Sequence, residues 1–96
     1  MLDLDLRNCG WGDEDAAVVC DALLWAHANG ATTPATDLNL EDNKLTDACV
    51  PRLVEVLSAG AVPKLEELQL YANALSAAGK QSVKAACAAR GVRVDV

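Results

Sequence analysis

The pattern Leu38-x-Leu40-x-x-Asn43-x-Leu45 returns as Leu68-x-Leu70-x-x-Asn73-x-Leu75, and a looser copy, Leu4-x-Leu6-x-x-Cys9-x-Trp11, opens the chain. The copies follow one another at intervals of 34 and 30 residues. A period of that length constrains the fold more than any single motif. Each unit is a small supersecondary element that buries its apolar face only against its neighbour, so the chain has to stack. Such a stack displays a surface rather than closing around a reaction pocket.

Within L-x-L the leucines alternate, so they share one face of a strand and the intervening residues share the other. Parallel strands need crossovers, and each crossover here reads as a helix. Leu53, Val56 and Leu57 fall at helical spacing, with Val50 one turn earlier; Val19, Ala22 and Leu23 match them in the first unit, and Val83, Ala86 and Cys87 in the third. Asp13, Thr46 and Ser76 signal helix starts. Gly30, Gly60 and Gly91 signal helix ends, where glycine tolerates a left-handed cap. Pro51 falls in the first turns of its helix, where its missing N–H matters least. Asn29-Gly30 and the run Ala31-Thr32-Thr33-Pro34 lengthen the first connection, and Val92-Arg93-Val94-Asp95-Val96 predicts a last strand. Asn43 and Asn73 follow their strands, where an inward amide can satisfy backbone groups of neighbouring turns. Cys9 holds that place in the first unit and offers only a weak S–H donor. The units run over about residues 1–34, 35–64 and 65–91, with the final strand at 92–96.

These residues resemble the leucine-rich repeat superfamily, in its ribonuclease-inhibitor-like class with a helix in every unit. The resemblance rests on the three L-x-L-x-x-N/C-x-L copies and on the helix entries Thr46-Asp47-Ala48 and Ser76-Ala77-Ala78-Gly79. It implies an α/β solenoid, with a parallel sheet on a concave face, helices on the convex face, and binding through the concave strands. Some members of the class stimulate a GTPase, for which Arg7, Asn8 and Asn39 would be the candidate contacts here. Cys9, Trp11 and the long first connection depart from the pattern. So does the lack of a capping segment before Leu2, which predicts that the domain is part of a longer or multi-domain chain.

At 96 residues the chain makes one domain. It is 52% hydrophobic yet has two Trp, one Tyr and no Phe, so Leu, Val and Ala must fill thin core layers. A formal charge of −6 disfavours nucleic acid and anionic membranes and favours a basic protein partner. No apolar run approaches the roughly 20 residues of a membrane span, and no leader opens the chain, so a cytoplasmic location is expected. Cys9, Cys20, Cys49 and Cys87 form no C-x-x-C pair, and His27 is the single histidine, which argues against zinc. All four cysteines read as reduced, buried thiols. His27 reads as a surface or loop-packing side chain. Asp13-Glu14-Asp15 reads as a helix N-terminus, and its spacing matches no calcium loop. No cofactor and no catalytic constellation is expected.

The outward strand positions form columns: Asp3, Asp37, Glu67 and Arg93; then Asp5, Asn39, Gln69 and Asp95; then Arg7, Glu41 and Tyr71. The expected partner contacts are Asp5, Arg7, Asp37, Asn39, Glu41, Glu67, Gln69 and Tyr71, with Tyr71 as the aromatic anchor. The competing reading is a solvated strand face. Leu2, Leu24 and Trp25, with Val18, suggest an exposed apolar patch and a homodimer through the N-terminal edge. Burial of Trp25 against the Ala31–Ala35 loop is the reading preferred to that self-association.

Overall fold

The structure, a computed structural model, describes residues 3–31 and 33–96. Its elements are β1 (Asp3–Asp5), α1 (Asp13–Ala28), β2 (Asp37–Asn39), a 3₁₀ turn (Asp47–Cys49) leading into α2 (Val50–Ser58), β3 (Glu67–Gln69), α3 (Ala77–Ala89) and β4 (Arg93–Asp95). The four strands form one parallel sheet in the order β1-β2-β3-β4. Leu4, Leu38, Leu68 and Val94 pair across it in one row. Those side chains join Leu40, Leu45, Leu53, Val56, Leu57, Leu70, Val83 and Cys87 in a single core cluster, so the helices cover the leucine side of the sheet. This is an α/β fold.

Each helix stops in the same way. Gly30, Gly60 and Gly91 take φ of 80°, 73° and 68°. The next residue then donates back into the last turn: Ala31 to Ala26, Ala61 to Val56 and Val92 to Cys87, at 2.9, 3.1 and 2.9 Å. That pairing needs a left-handed residue, which glycine supplies without a steric penalty.

Two asparagines join the units. The Oδ1 of Asn43 accepts from the Cys9 and Trp11 amides at 3.1 and 3.0 Å, and its Nδ2 donates to the carbonyls of Leu6 and Leu40, both at 3.0 Å. Asn73 repeats the arrangement one unit later, accepting from Leu45 N–H at 3.0 Å and donating to Leu40 at 2.8 Å and Leu70 at 2.9 Å. The residue before each of these positions is left-handed: Asn8, Asp42 and Ala72 have φ of 53°, 55° and 62°. Asn and Asp accept that region readily, whereas Ala72 pays a steric penalty of about 1 kcal/mol.

A second set of joints runs through the helix entries. Asp13 accepts from the Thr46 amide at 2.9 Å and its hydroxyl at 2.7 Å. Asp47 accepts in the same way from the amide of Ser76, at 2.8 Å, and from its hydroxyl. Thr46 caps the 3₁₀ turn that leads into α2 and Ser76 caps α3, while Asp13 lies inside α1 behind its cap, Gly12.

α1 corrects the expected stripe. Ala16 and Cys20 are buried, Val19 and Leu23 are half-buried, and Ala22 is exposed. Among the described residues α1 has a helical neighbour on one side only, toward α2. The side chains turned to α2 are covered and the opposite flank is bare.

Gly79 lies under the Asp47 carboxylate, so close that a Cβ there would collide with it. Helix propensity alone favours Ala over Gly by about 1 kcal/mol. For Gly79→Ala we expect no gain in Tm, because Asp47 must swing off Ser76 to admit the methyl group. The Asp47 carboxyl, held below its ordinary range mainly by the Ser76 hydroxyl, should also titrate upward by NMR. A raised Tm with an unchanged Asp47 titration would contradict this.

Candidate functional site

The sheet face opposite the helices carries the strand residues that the leucines leave out. The register aligns Asp3, Asp37, Glu67 and Arg93 in one column and Asp5, Asn39, Gln69 and Asp95 in the next. Past the strand ends the chain stays aligned. Asn8 N–H donates to Glu41 O at 2.9 Å and Asp42 N–H to Tyr71 O at 3.0 Å, keeping Arg7, Glu41 and Tyr71 side by side. The columns therefore have the composition expected from alternation.

Carboxylates dominate this face. Asp3, Asp5, Asp37, Glu41, Glu67 and Asp95 stand against two guanidinium groups, Arg7 and Arg93. Arg7 folds back so that Nε lies 3.2 Å from Asp5, and Arg93 reaches Glu67 at 3.5 Å. Both pairs are largely solvated, and exposed pairs of this kind contribute little to stability. Gln69 donates to the same Glu67 at 2.9 Å. Among the described residues Asp37, on β2, and Glu41, just past it, have no cation within ion-pair distance, and both are half-buried. Tyr71 is 59% exposed beside them.

Asn39 departs from expectation. It is only 7% exposed, and its Oδ1 accepts from the Glu41 amide at 3.0 Å. It shapes the turn after β2 and offers a partner little. The other two residues considered for a GTPase contact are exposed: Arg7 is paired with Asp5, and Asn8 sits on its left-handed turn.

The N-terminal flank also differs from the sequence reading. Trp25 is 69% exposed, so burial against the following loop is incorrect. Val18 is equally exposed and lies two helical turns away on the same face. Leu24, rotated about 100° from Trp25, is half-buried and packs on the core instead. Leu2 lies outside the described residues. The patch consists of Val18 and Trp25.

Sequence reasoning gave no sign of a cavity of about 160 Å³ at the opposite end of the helices. It is lined by Leu57, Gly60, Val62, Pro63, Leu65, Arg90 and Val92, with the Arg90 guanidinium donating to Ser58 O beside it. These residues come from two stretches, 57–65 and 90–92, in which Gly60 and Arg90, and Val62 and Val92, stand one 30-residue repeat apart.

Among the described residues no group of three or more His, Cys, Asp or Glu could hold a metal ion. None of the described helices is long and apolar enough to cross a membrane. No protein-family profile and no curated protein matches this chain.

The cysteines divide into two kinds. Cys20, Cys49 and Cys87 are buried and free, as expected, while Cys9 is exposed. Cys9 occupies the asparagine position of the first unit, which among the described residues no earlier unit covers, and its thiol reaches only the Arg7 carbonyl at 3.5 Å. Burial pushes Cys20 up to about 11, Cys49 to about 12 and Cys87 to about 11. Thiol reactivity needs both access and the thiolate. Maleimide labelling of the native protein near neutral pH should therefore modify Cys9 quickly and the other three only after unfolding. Rapid labelling of more than one thiol would contradict this.

Proposed function

We propose that this chain is a short solenoid of the leucine-rich repeat superfamily, ribonuclease-inhibitor-like in class, and that it acts as a non-catalytic interaction module. The helix-strand units, their parallel order and the asparagine joints support that class. Its working surface is the acidic strand face, and its partner is a basic protein segment. The observation that carries this reading is Asp37 and Glu41, half-buried carboxylates with no cation partner among the described residues, together with the exposed Tyr71 beside Glu41.

The physical logic is complementarity on a fixed frame. Neighbouring parallel strands lie about 4.8 Å apart, so the carboxylates of one column repel each other modestly. A Lys- or Arg-rich segment laid across the columns relieves that repulsion, and the Tyr71 ring gives it an apolar anchor. Because the frame is held by backbone and asparagine hydrogen bonds, little ordering is needed on this side of the interface. Charge at such a surface acts chiefly on association rate and salt dependence.

A Lys/Arg-rich peptide titrated by fluorescence anisotropy tests the reading. We expect binding that weakens as salt rises, and that falls by about tenfold or more in Asp37→Lys/Glu67→Lys, the equivalent of about 1.4 kcal/mol. Glu55→Lys on the helical side should leave it unchanged. Equal affinity in the strand-face variant and the wild type would sink the assignment of this face.

A further inference from the structure

The two ends of the sheet differ in charge and shape in a way the strand face does not use. Beyond the role proposed above, we propose that the chain associates head to tail, with β1 and the bare flank of α1 in one copy docking on β4 and the outer flank of α3 in the next.

Three observations converge on this. The first is the helix charge. α1 carries Asp13, Glu14, Asp15 and Asp21 and neither Lys nor Arg, whereas α3 carries Lys80 and Lys84 and no acid. Asp13 and Asp21 are held by Thr46 and Arg52 of the same chain, which leaves Glu14 and Asp15 unengaged with the following unit. Counted from the caps Gly12, Thr46 and Ser76, Lys80 and Lys84 hold the fourth and eighth places. Those places are taken by Ala16 and Cys20 in α1 and by Val50 and Val54 in α2. In α1 and α2 they are covered or half-covered apolar residues; in α3 they are a half-buried and an exposed lysine. The flank that would meet a following helix is therefore basic, and the helix that would meet it, α1 of another copy, opens with the acids Glu14 and Asp15.

The second is the sheet. Within the chain Leu6 N–H donates to Asn39 O, Leu40 N–H to Gln69 O and Leu70 N–H to Asp95 O, at 2.8, 2.8 and 2.6 Å. Val96 follows β4 as Leu70 follows β3, and in the next copy the matching acceptor is the carbonyl of Asp5. Continued across the junction, the same register sets Val94 against Leu4, Arg93 against Asp3 and the like-charged Asp95 against Asp5. Arg93 has a 76% exposed side chain, so it can bridge Glu67 and the Asp3 carboxylate.

The third is the exposed pair Val18 and Trp25 on the α1 flank. Across the junction they meet Lys84 and Ala88, both exposed on α3. A lysine ammonium over an indole face is favourable, and its stem covers apolar surface. The helix-entry joint ends cleanly on both sides. Ala77 stands where Asp13 and Asp47 reach forward, and Gly12 where Thr46 and Ser76 receive them, so no half-satisfied polar group is left at the junction.

A head-to-tail contact leaves one surface free at each end of a dimer, so growth continues past two chains into a ring or a filament.

Sedimentation of the full chain from micromolar to millimolar concentration is the test. The weight-average mass should rise beyond two chains and fall at high salt. Trp25→Lys blocks one end and Lys80→Glu/Lys84→Glu the other, so each variant alone should be monomeric, and a mixture of the two should stop at dimers. Lys84→Glu alone, at an exposed position, serves if the double variant does not fold. A wild-type monomer throughout would overturn the proposal. So would association abolished by Trp25→Lys but untouched by the lysine changes, which would mean an α1-to-α1 dimer. Peptide binding on the strand face should be unaffected by these variants.

Discussion

A backbone that leaves a strand at Leu40 or Leu70 and turns toward a helix leaves amides and carbonyls without partners in its own segment. Asn43 and Asn73 supply those partners. Each amide group accepts from backbone N–H groups of the unit before and donates to carbonyls on both sides of the joint, with bonds mostly near 3.0 Å. A buried polar group left unpaired costs about 1–3 kcal/mol, so one side chain serving several such groups governs a large share of a small domain's stability. Among the described residues no buried side-chain N or O atom is left without a partner.

The position of every outward residue follows from these joints. With the units held at one register, Leu4, Leu38, Leu68 and Val94 fall in line beneath the sheet, and the intervening acids must then fall in line above it. The acidic columns are a consequence of repetition joined to a two-residue alternation. The helix-entry carboxylates Asp13 and Asp47 fix the helices to the same spacing, and the close approach of Asp47 to Gly79 shows how little room that spacing leaves.

Much of this was legible in the chain because the signals are local. Alternating leucines define strands, glycines past the helices define their ends, and the columns follow by counting. What was not legible depends on which neighbour a residue has. The α1 stripe was placed on Val19, Ala22 and Leu23, but an end helix is covered from one side, and Ala16 and Cys20 face that cover. Cys9 was expected to be buried by analogy with Asn43 and is exposed for the same reason. Asn39 read as a contact residue because it alternates outward, yet it is buried with its Oδ1 turned to the Glu41 amide of its own turn. Asp13 and Asp47 read as helix-entry charges, because their partners Thr46 and Ser76 lie a whole repeat away. The recurrence of Asp in one unit with a hydroxyl at the next helix entry was the available clue.

Amide hydrogen exchange on the native protein tests the role of the asparagine joints most directly. Trp11 and Leu45 lie in irregular segments, and their amides donate to side chains rather than to a strand. If Asn43 and Asn73 hold the units together, these two amides exchange as slowly as the strand-flanking amides of Leu6 and Leu40. In Asn43→Ala, Trp11 should then lose its protection while Leu45 keeps more of its own. Exchange of Trp11 and Leu45 at the rates of open loop amides in the unaltered chain would contradict the account.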